Sequence, residues 1–471
     1  MPIRFLLNGV AHSEEHVAPS TTVLDWLRGP ARLTGTKEGC AEGDCGACTI
    51  AVARPGDDGG PRYQAVNACL MLLPQLDGCA VRTVEGLADG AELHPVQSAM
   101  IDADGTQCGF CTPGFLMSMF AYAQGGAAAE ENAIHEALAG NLCRCTGYRP
   151  IVESARKIAG LRTPRIEAAD KAVPAPGAQY RTGDQLFLAP RSLQELADAR
   201  RRHPDALLLA GGTDLGLLAS KERRAFPVIV STAHVAEMRE IATREGTLRI
   251  GAAVTYTEAL PPIEKHYPAF GEIVRRIGSR QIRNLGTLAG NVANASPIGD
   301  TIPCLIAIGA EVELDTAGER RRLPVEDFIT GYRKTALKPG EVIVALRLPL
   351  PAKGAIFRAY KLSKRFDQDI STVIAAFSLT LKHDKVERLR AAFGGMAAKS
   401  ARAVGLEAAL AGKPWTAGAL QDADALIARD FAPMTDQRGT AAYRLRAAAN
   451  LVRRLQLETA GHDMPTRVEA L

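Results

Sequence analysis

The chain has 471 residues, a formal charge of +4, 46% hydrophobic residues and 23% charged ones. This balance excludes an extended disordered chain and suits about three or four globular domains. The small charge carries no basic block and no apolar run reaches bilayer length, so neither nucleic acid nor a membrane is expected as a partner.

Residues 1–84 read as a small mixed domain. Ile3–Leu7 is a candidate strand ending at the Asn8-Gly9 turn signal. Thr22 and Asp25 have capping-box spacing for a short helix through Trp26 and Leu27, which Gly29-Pro30 should stop. Next come Cys40, Cys45 and Cys48, and further on Cys69. The C-x4-C-x2-C spacing is that of plant-type ferredoxins, in which four thiolates hold one 2Fe–2S cluster. Gly39, Gly43 and Gly46 let the backbone curl tightly and aim N–H groups at sulfur. A strand over Cys48–Val52 should follow.

Residues 85–162 turn helical. Helices are expected from His94-Pro95 to Gly105, from Thr112-Pro113 to Gly125-Gly126, from about Glu130 to Leu138, and from Pro150 to about Gly160. Phe115, Met119 and Tyr122 should line one apolar face of the second. Four short helices with compact connections suggest a bundle. Cys108, Cys111, Cys143 and Cys145 form a second quartet at helix ends, where free N–H groups suit an anionic thiolate centre.

Disulfides would require an oxidising compartment, and Met1–Phe5 has no basic stretch leading into an apolar core. A reducing cytoplasm is therefore expected. Zinc would accept the C-x2-C pairs but not the four-residue and one-residue gaps. Two quartets imply two one-electron carriers in one chain. Cys79 and Cys304 read as small buried hydrophobes.

A Pro- and Ala-rich linker is expected over 163–183, followed by an αβ region over 184–352. The strand Ala206–Ala210 runs into Gly211-Gly212-Thr213-Asp214, and a second Gly- and Asn-rich stretch covers 284–297. Neither G-x-G-x-x-G nor a Walker A pattern is present. Each stretch could be a capped strand-to-helix turn or a cradle of N–H groups for a pyrophosphate. One-electron carriers need a partner that also exchanges electrons in pairs, which favours flavin. Residues 353–471 alternate strands, such as Ser371–Leu381, with Ala-rich helices and read as a further α+β domain.

Several stretches together carry a family likeness: Gly39–Cys48, Gln107–Gly114, Asn141–Pro150, Gly331–Thr335 and Phe393–Met396. Through them the chain resembles the FAD/iron–sulfur small subunits of bacterial xanthine dehydrogenases, in the molybdenum hydroxylase family. The resemblance implies an α+β multidomain chain: a ferredoxin-like β-grasp, a four-helix cluster bundle, a vanillyl-alcohol-oxidase-type FAD domain, and a C-terminal domain of the carbon monoxide dehydrogenase flavoprotein type. It implies that Cys40, Cys45, Cys48 and Cys69 hold the 2Fe–2S cluster nearer the flavin. Cys108, Cys111, Cys143 and Cys145 would hold the one nearer molybdenum, with Gln107 close to the molybdopterin of a partner chain. Leu208, Leu209, Ala210, Gly211, Gly212, Thr213, Asp214 and Leu215 match a first FAD pyrophosphate loop. Thr287, Gly290, Asn291 and Asp300 match a second segment, with Ile277 near the ring and Ile343 and Lys361 as further FAD contacts. Tyr332 lies where nicotinamide is expected to approach.

The activity so implied is electron transfer, from hydroxylation of hypoxanthine and xanthine at a molybdenum-binding large subunit, through both clusters and FAD, to NAD+. No residue of this chain would act on the purine. A two-plus-two heterotetramer is the implied assembly. The sequence departs from relatives at Lys399-Ser400-Ala401-Arg402, where a basic pair is usual. The loop Lys364–Ile370, which in this family bears on NAD versus oxygen as acceptor, has its own charge pattern. Two rivals stand beside this reading: the same architecture serving an aldehyde, nicotinate or another N-heterocycle, and a free-standing iron–sulfur flavoprotein carrier. Carbon monoxide dehydrogenases are expected to keep clusters and flavin on separate polypeptides.

Overall fold

The computed structural model describes residues 1–55, 61–126, 128–161, 175–461 and 466. Two compact units emerge: Met1–Val235 with Gly278–Gly286, and Ala236–Ile277 with Thr287–Leu471.

The first unit opens with strands β1 (Ile3–Leu7), β2 (Val10–Glu14), β3 (Thr49–Pro55), β4 (Pro61–Asn67) and β5 (Ala80–Arg82), in the order β2-β1-β5-β3-β4. The β1–β5 pair is parallel and the others are antiparallel. Asn8 and Gly9 join β1 to β2 with φ of 52° and 84°, the left-handed pair a two-residue hairpin turn requires.

The two-residue period of the strands builds two cores. Ile3 and Phe5 of β1, with Ile50 and Val52 of β3, join the core that holds Trp26 and Leu27. Leu6, Ala51 and Ala53 face the helical side. Thr22 caps the helix Val23–Arg28 by accepting the Asp25 N–H at 3.1 Å, and Gly29 ends it, as the spacing predicts.

Four helices follow, Pro95–Asp102, Thr112–Gln124, Glu131–Leu138 and Arg149–Lys157, and they pack on one another. The expectation of one apolar face for the second of these is too narrow. Every residue from Gly114 to Ala123 is buried, because the helix lies between the alanine face of β3 and the other helices.

Most of the predicted linker lies outside the described residues. Its last part is a strand: β6 (Gln179–Thr182) forms a hairpin with β7 (Gln185–Leu188). With β8 (Leu207–Leu209) and β9 (Val228–Ser231) they form a sheet ordered β6-β7-β9-β8. The proline and glycine signals mark only the approach to β6, whose short alternation with Tyr180 buried was too brief to read.

The second unit holds a sheet ordered β10-β11-β16-β12-β13, from Ile241–Arg244, Thr247–Gly251, Val342–Pro349, Glu311–Thr316 and Glu319–Pro324. The short pair β14 (Ile329–Gly331) and β15 (Lys334–Thr335) follows. A four-stranded sheet runs in chain order through β17 (Ile356–Leu362), β18 (Val373–Lys382), β19 (Lys385–Gly394) and β20 (Ala401–Arg402). The helix Ala441–Thr459 packs on β17 and β18. Edge-on contacts from Phe377 to Phe393 at 5.5 Å and from Phe393 to Phe431 at 5.4 Å tie this core together. Among the described residues no helix is long and apolar enough to cross a membrane.

Candidate functional site

The loop 39–48 wraps around its own sulfur atoms. The N–H groups of Glu42 and Asp44 reach Cys40 Sγ at 3.4 Å, and that of Cys45 reaches it at 3.3 Å. Cys40 N–H lies 3.4 Å from Cys45 Sγ, and Cys48 Sγ lies 3.3 Å from Cys69 Sγ. Hydrogen bonding from the Cys45 thiol, with these N–H groups, brings Cys40 down to about 5, whereas contact with Cys48 and burial push Cys69 up. A nest of N–H donors around one sulfur is what a negatively charged sulfur centre needs. The loop can curl this way because Gly46 has φ +68°, and a Cβ there would stand 2.2 Å from the Gly140 carbonyl oxygen.

The second quartet forms at two turns. Cys111 is the N-cap residue of Thr112–Gln124, and Cys108 lies three residues earlier with Gln107, both exposed. Cys108 interacts with Cys145, and Cys111 with Cys143. Burial, then the Cys143 sulfur, pushes Cys111 up to about 12. Cys143 Sγ meets Thr146 Oγ1 at 3.3 Å, and its N–H donates to the Tyr148 hydroxyl at 2.9 Å. Both predicted quartets are thus brought together, and the donor set of thiols with N–H and O–H donors fits iron–sulfur clusters. Cys79 and Cys304, at 1% and 0% exposure, are buried hydrophobes as expected, with burial raising both thiols.

The glycine-rich segments fall in different units. Leu208–Leu215 belongs to the first unit, where β8 ends and the short helix Leu215–Ser220 begins. A Cβ on Gly211 would sit 1.8 Å from the Leu285 carbonyl oxygen, so only glycine permits this approach. Gly212 has φ +84°. Leu209 and Gly212 are buried, Asp214 is exposed, and the rest of the segment is half-buried.

Ile277, Thr287, Gly290, Asn291, Asp300, Tyr332, Ile343 and Lys361 belong to the second unit. Thr287 Oγ1 caps the helix Leu288–Asn294 by accepting the Gly290 N–H at 2.9 Å. The Asn291 side-chain oxygen accepts from Thr301 at 2.7 Å. Asp300 is buried and accepts from Lys361 Nζ at 2.7 Å and from Ser371 Oγ at 2.5 Å. Lys361 Nζ also donates to the Arg276 carbonyl at 3.0 Å. Ile343 is buried in β16, Ile277 is half-buried, and Tyr332 stands 61% exposed.

Ser371 and Arg276, which hold this buried pair, were not legible as site residues. Neither was Gln281, which lies just upstream of the glycine-rich stretch. No spacing rule reports a residue whose partners lie 71 to 232 positions away.

The chain matches four families in order: "2Fe-2S iron-sulfur cluster binding domain" over 5–73, "[2Fe-2S] binding domain" over 83–156, "FAD binding domain in molybdopterin dehydrogenase" over 180–351, and "CO dehydrogenase flavoprotein C-terminal domain" over 358–459. It is 33% identical to xanthine dehydrogenase of Emericella nidulans over 99% of this chain, and spans only 39% of that relative's length. Carbon monoxide dehydrogenase from Hydrogenophaga pseudoflava, in a form lacking the Mo-pyranopterin moiety, is similar in structure with a TM-score of 0.54 and 30% identity. That likeness covers 57% of this chain and 94% of the solved one. Quinoline 2-oxidoreductase from Pseudomonas putida 86 gives a TM-score of 0.53 and 26% identity, covering 58% of this chain and 96% of its own. With iron–sulfur and FAD domains in this order on one polypeptide, the chain belongs to the molybdenum hydroxylase family.

Proposed function

We propose that this chain is the electron-transfer part of a xanthine dehydrogenase-type enzyme, taking electrons from a molybdopterin site on a partner chain and passing them to NAD+. The observation that carries this reading is the extent of similarity. The likeness to a xanthine dehydrogenase runs along 99% of the chain, whereas the carbon monoxide dehydrogenase and quinoline 2-oxidoreductase chains, each covered almost completely, account for 57% and 58% of it. Clusters and flavin on one polypeptide are thus a feature held in common with xanthine dehydrogenase.

Bound iron–sulfur clusters supply one-electron transfer, and bound flavin supplies exchange between single electrons and pairs. In this reading Cys40, Cys45, Cys48 and Cys69 hold one cluster, and Cys108, Cys111, Cys143 and Cys145 hold the other. On the same reading Leu208–Leu215 is a first FAD pyrophosphate segment, and Thr287, Gly290 and Asn291 belong to a second. Asp300 holds the Lys361 ammonium rigidly, and Lys361, Ile343 and Ile277 contact the rest of FAD. Tyr332, exposed as a recognition residue must be, receives nicotinamide, and Gln107 faces the partner's molybdopterin. The quartets also favour the β-grasp and cluster-bundle names for the first two domains.

Purified alone with iron and FAD, the chain should pass electrons from NADH to a dye without oxidising xanthine. The two-chain complex should form NADH from xanthine. Xanthine turnover by a preparation free of molybdenum and of the second chain would overturn the proposal. A complex inert on xanthine but active on quinoline or an aldehyde would move the substrate and leave the electron-transfer role intact.

A further inference from the structure

The short segment Gly278–Gly286 belongs to the first unit, although the chain on either side belongs to the second. At its centre lies Gln281, 0% exposed. Its Nε2 lies 3.2 Å from Thr49 Oγ1, 3.1 Å from Ser118 Oγ and 3.1 Å from Asn141 Oδ1. Thr49 directly follows Cys48 and donates its own proton to the Gly46 carbonyl at 2.6 Å. Asn141 precedes Cys143 by two residues, and its amide donates to the same Gly46 carbonyl at 3.0 Å. The Leu142 N–H donates to the Cys45 carbonyl at 3.0 Å. The two cysteine loops therefore touch, and one carboxamide from a distant segment bonds to both. A Cβ on Gly140 would lie 1.9 Å from Gln281 Oε1, so the second loop is shaped around that carboxamide.

We infer that Gln281 is a positioning residue that sets the distance and orientation between the two iron–sulfur clusters. The inference rests on the reading of both quartets as cluster ligands. The physical reason is the depth of the network. A buried amide with its donors satisfied holds its partners firmly, because a partner that withdraws leaves a polar group unpaired away from water. Electron transfer between two centres depends on their separation, so a device that locks two ligand loops together acts on the rate without touching iron. Neighbouring anchors hold the segment itself: Asn284 Nδ2 donates to the Ala65 carbonyl at 2.8 Å, and Arg283 pairs with Glu136 at 3.0 Å.

The test is Gln281→Met in the two-chain holoenzyme, since methionine keeps the length and volume of glutamine but cannot donate. Iron and sulfide are measured first. Wild-type protein without iron defeats the cluster reading itself, whatever the variant does. With iron present, the expected result is full iron and FAD in the variant, an altered spin–spin splitting between the two reduced clusters in low-temperature EPR, shifted midpoint potentials, and slower electron transfer between clusters. Unchanged splitting and potentials, even with a lowered melting temperature, would show a merely structural role and overturn the inference. Should Gln281→Met fail to accumulate as holoenzyme, Gly140→Ala decides, because its methyl displaces the same carboxamide from the other loop. The same spectral change then supports the inference and wild-type spectra overturn it.

Discussion

In the first quartet Cys48 and Cys69 are 2% and 1% exposed, and three backbone N–H groups gather on Cys40. In the second, Cys108 and Cys145 are exposed, and the Thr146 hydroxyl lies 3.3 Å from Cys143 Sγ. The first loop is wrapped by β3 and by the turn at Gly140, whereas the second is assembled from two turns at helix ends. Burial shields a charged centre from water and fixes its surroundings, while exposure leaves a centre open to exchange with another molecule. The contrast suits an inner carrier and an outer one.

The comparison breaks most visibly at the ligands. Cys48→Ser should lose half of the iron, and Cys108→Ser the other half, because each removes a thiolate from a four-cysteine site. Iron analysis with EPR of the reduced protein would show one cluster signal lost in each case. If Cys48→Ser lost both clusters, the quartets would not be separate sites.

Gly46→Ala strikes the contact between the loops. A Cβ there meets the Gly140 carbonyl at 2.2 Å on a left-handed backbone, so a loss of about 2–5 kcal/mol is expected from strain and overpacking together. Thermal or denaturant unfolding of the holoprotein would read it. An alanine variant as stable as wild type would mean that the loops are not held in contact.

Exposure predicts an order of attack. With the isolated chain, a chelator and oxidant should bleach the second cluster before the first, and binding of the proposed partner chain should protect it. Simultaneous loss would remove the inner–outer distinction.

Acid should also find the helical region first. His94 caps the helix Pro95–Asp102, and burial, with Arg82 nearby, lowers it from 6.5 to about 4. The unfolded chain takes up that proton near 6.5 while the folded one resists it, so this contribution is complete above about 6.5 and is lost as pH falls toward about 4. Hydrogen exchange of that helix at pH 7 and pH 5 would read the effect. His94→Asn, which keeps a capping acceptor, should weaken the pH dependence; an equal dependence in the variant would clear His94 of the role.

The smallest effects are expected at the spare cysteines. Cys79→Ser and Cys304→Ser should retain all iron and lose about 1–2 kcal/mol for a buried hydroxyl. An iron deficit in either variant with its fold intact would mean that the quartets were chosen wrongly.

Local chemistry was legible in the sequence. The Thr22–Asp25 cap, the Asn8-Gly9 hairpin, the helix starts at Pro95 and Thr112 and both cysteine spacings each depend on residues a few positions apart. Such short-range preferences operate before any long-range contact forms. The burial of Thr112–Gln124 on all sides was not legible, because the sheet face that covers it comes from a strand some sixty positions earlier.

By itself the sequence singled out the two cysteine quartets, whose spacing suits iron–sulfur chemistry, and the glycine positions where the backbone curls. Only the tertiary structure decided that the Gly278–Gly286 segment joins the unit holding both quartets, that Gln281 bonds to Thr49 and Asn141, and that Lys361 closes on Asp300. These are contacts between residues 61 to 232 positions apart. A polar side chain carries no mark of its distant partner in the sequence; the demand that every buried donor find an acceptor acts only once the core has closed around it.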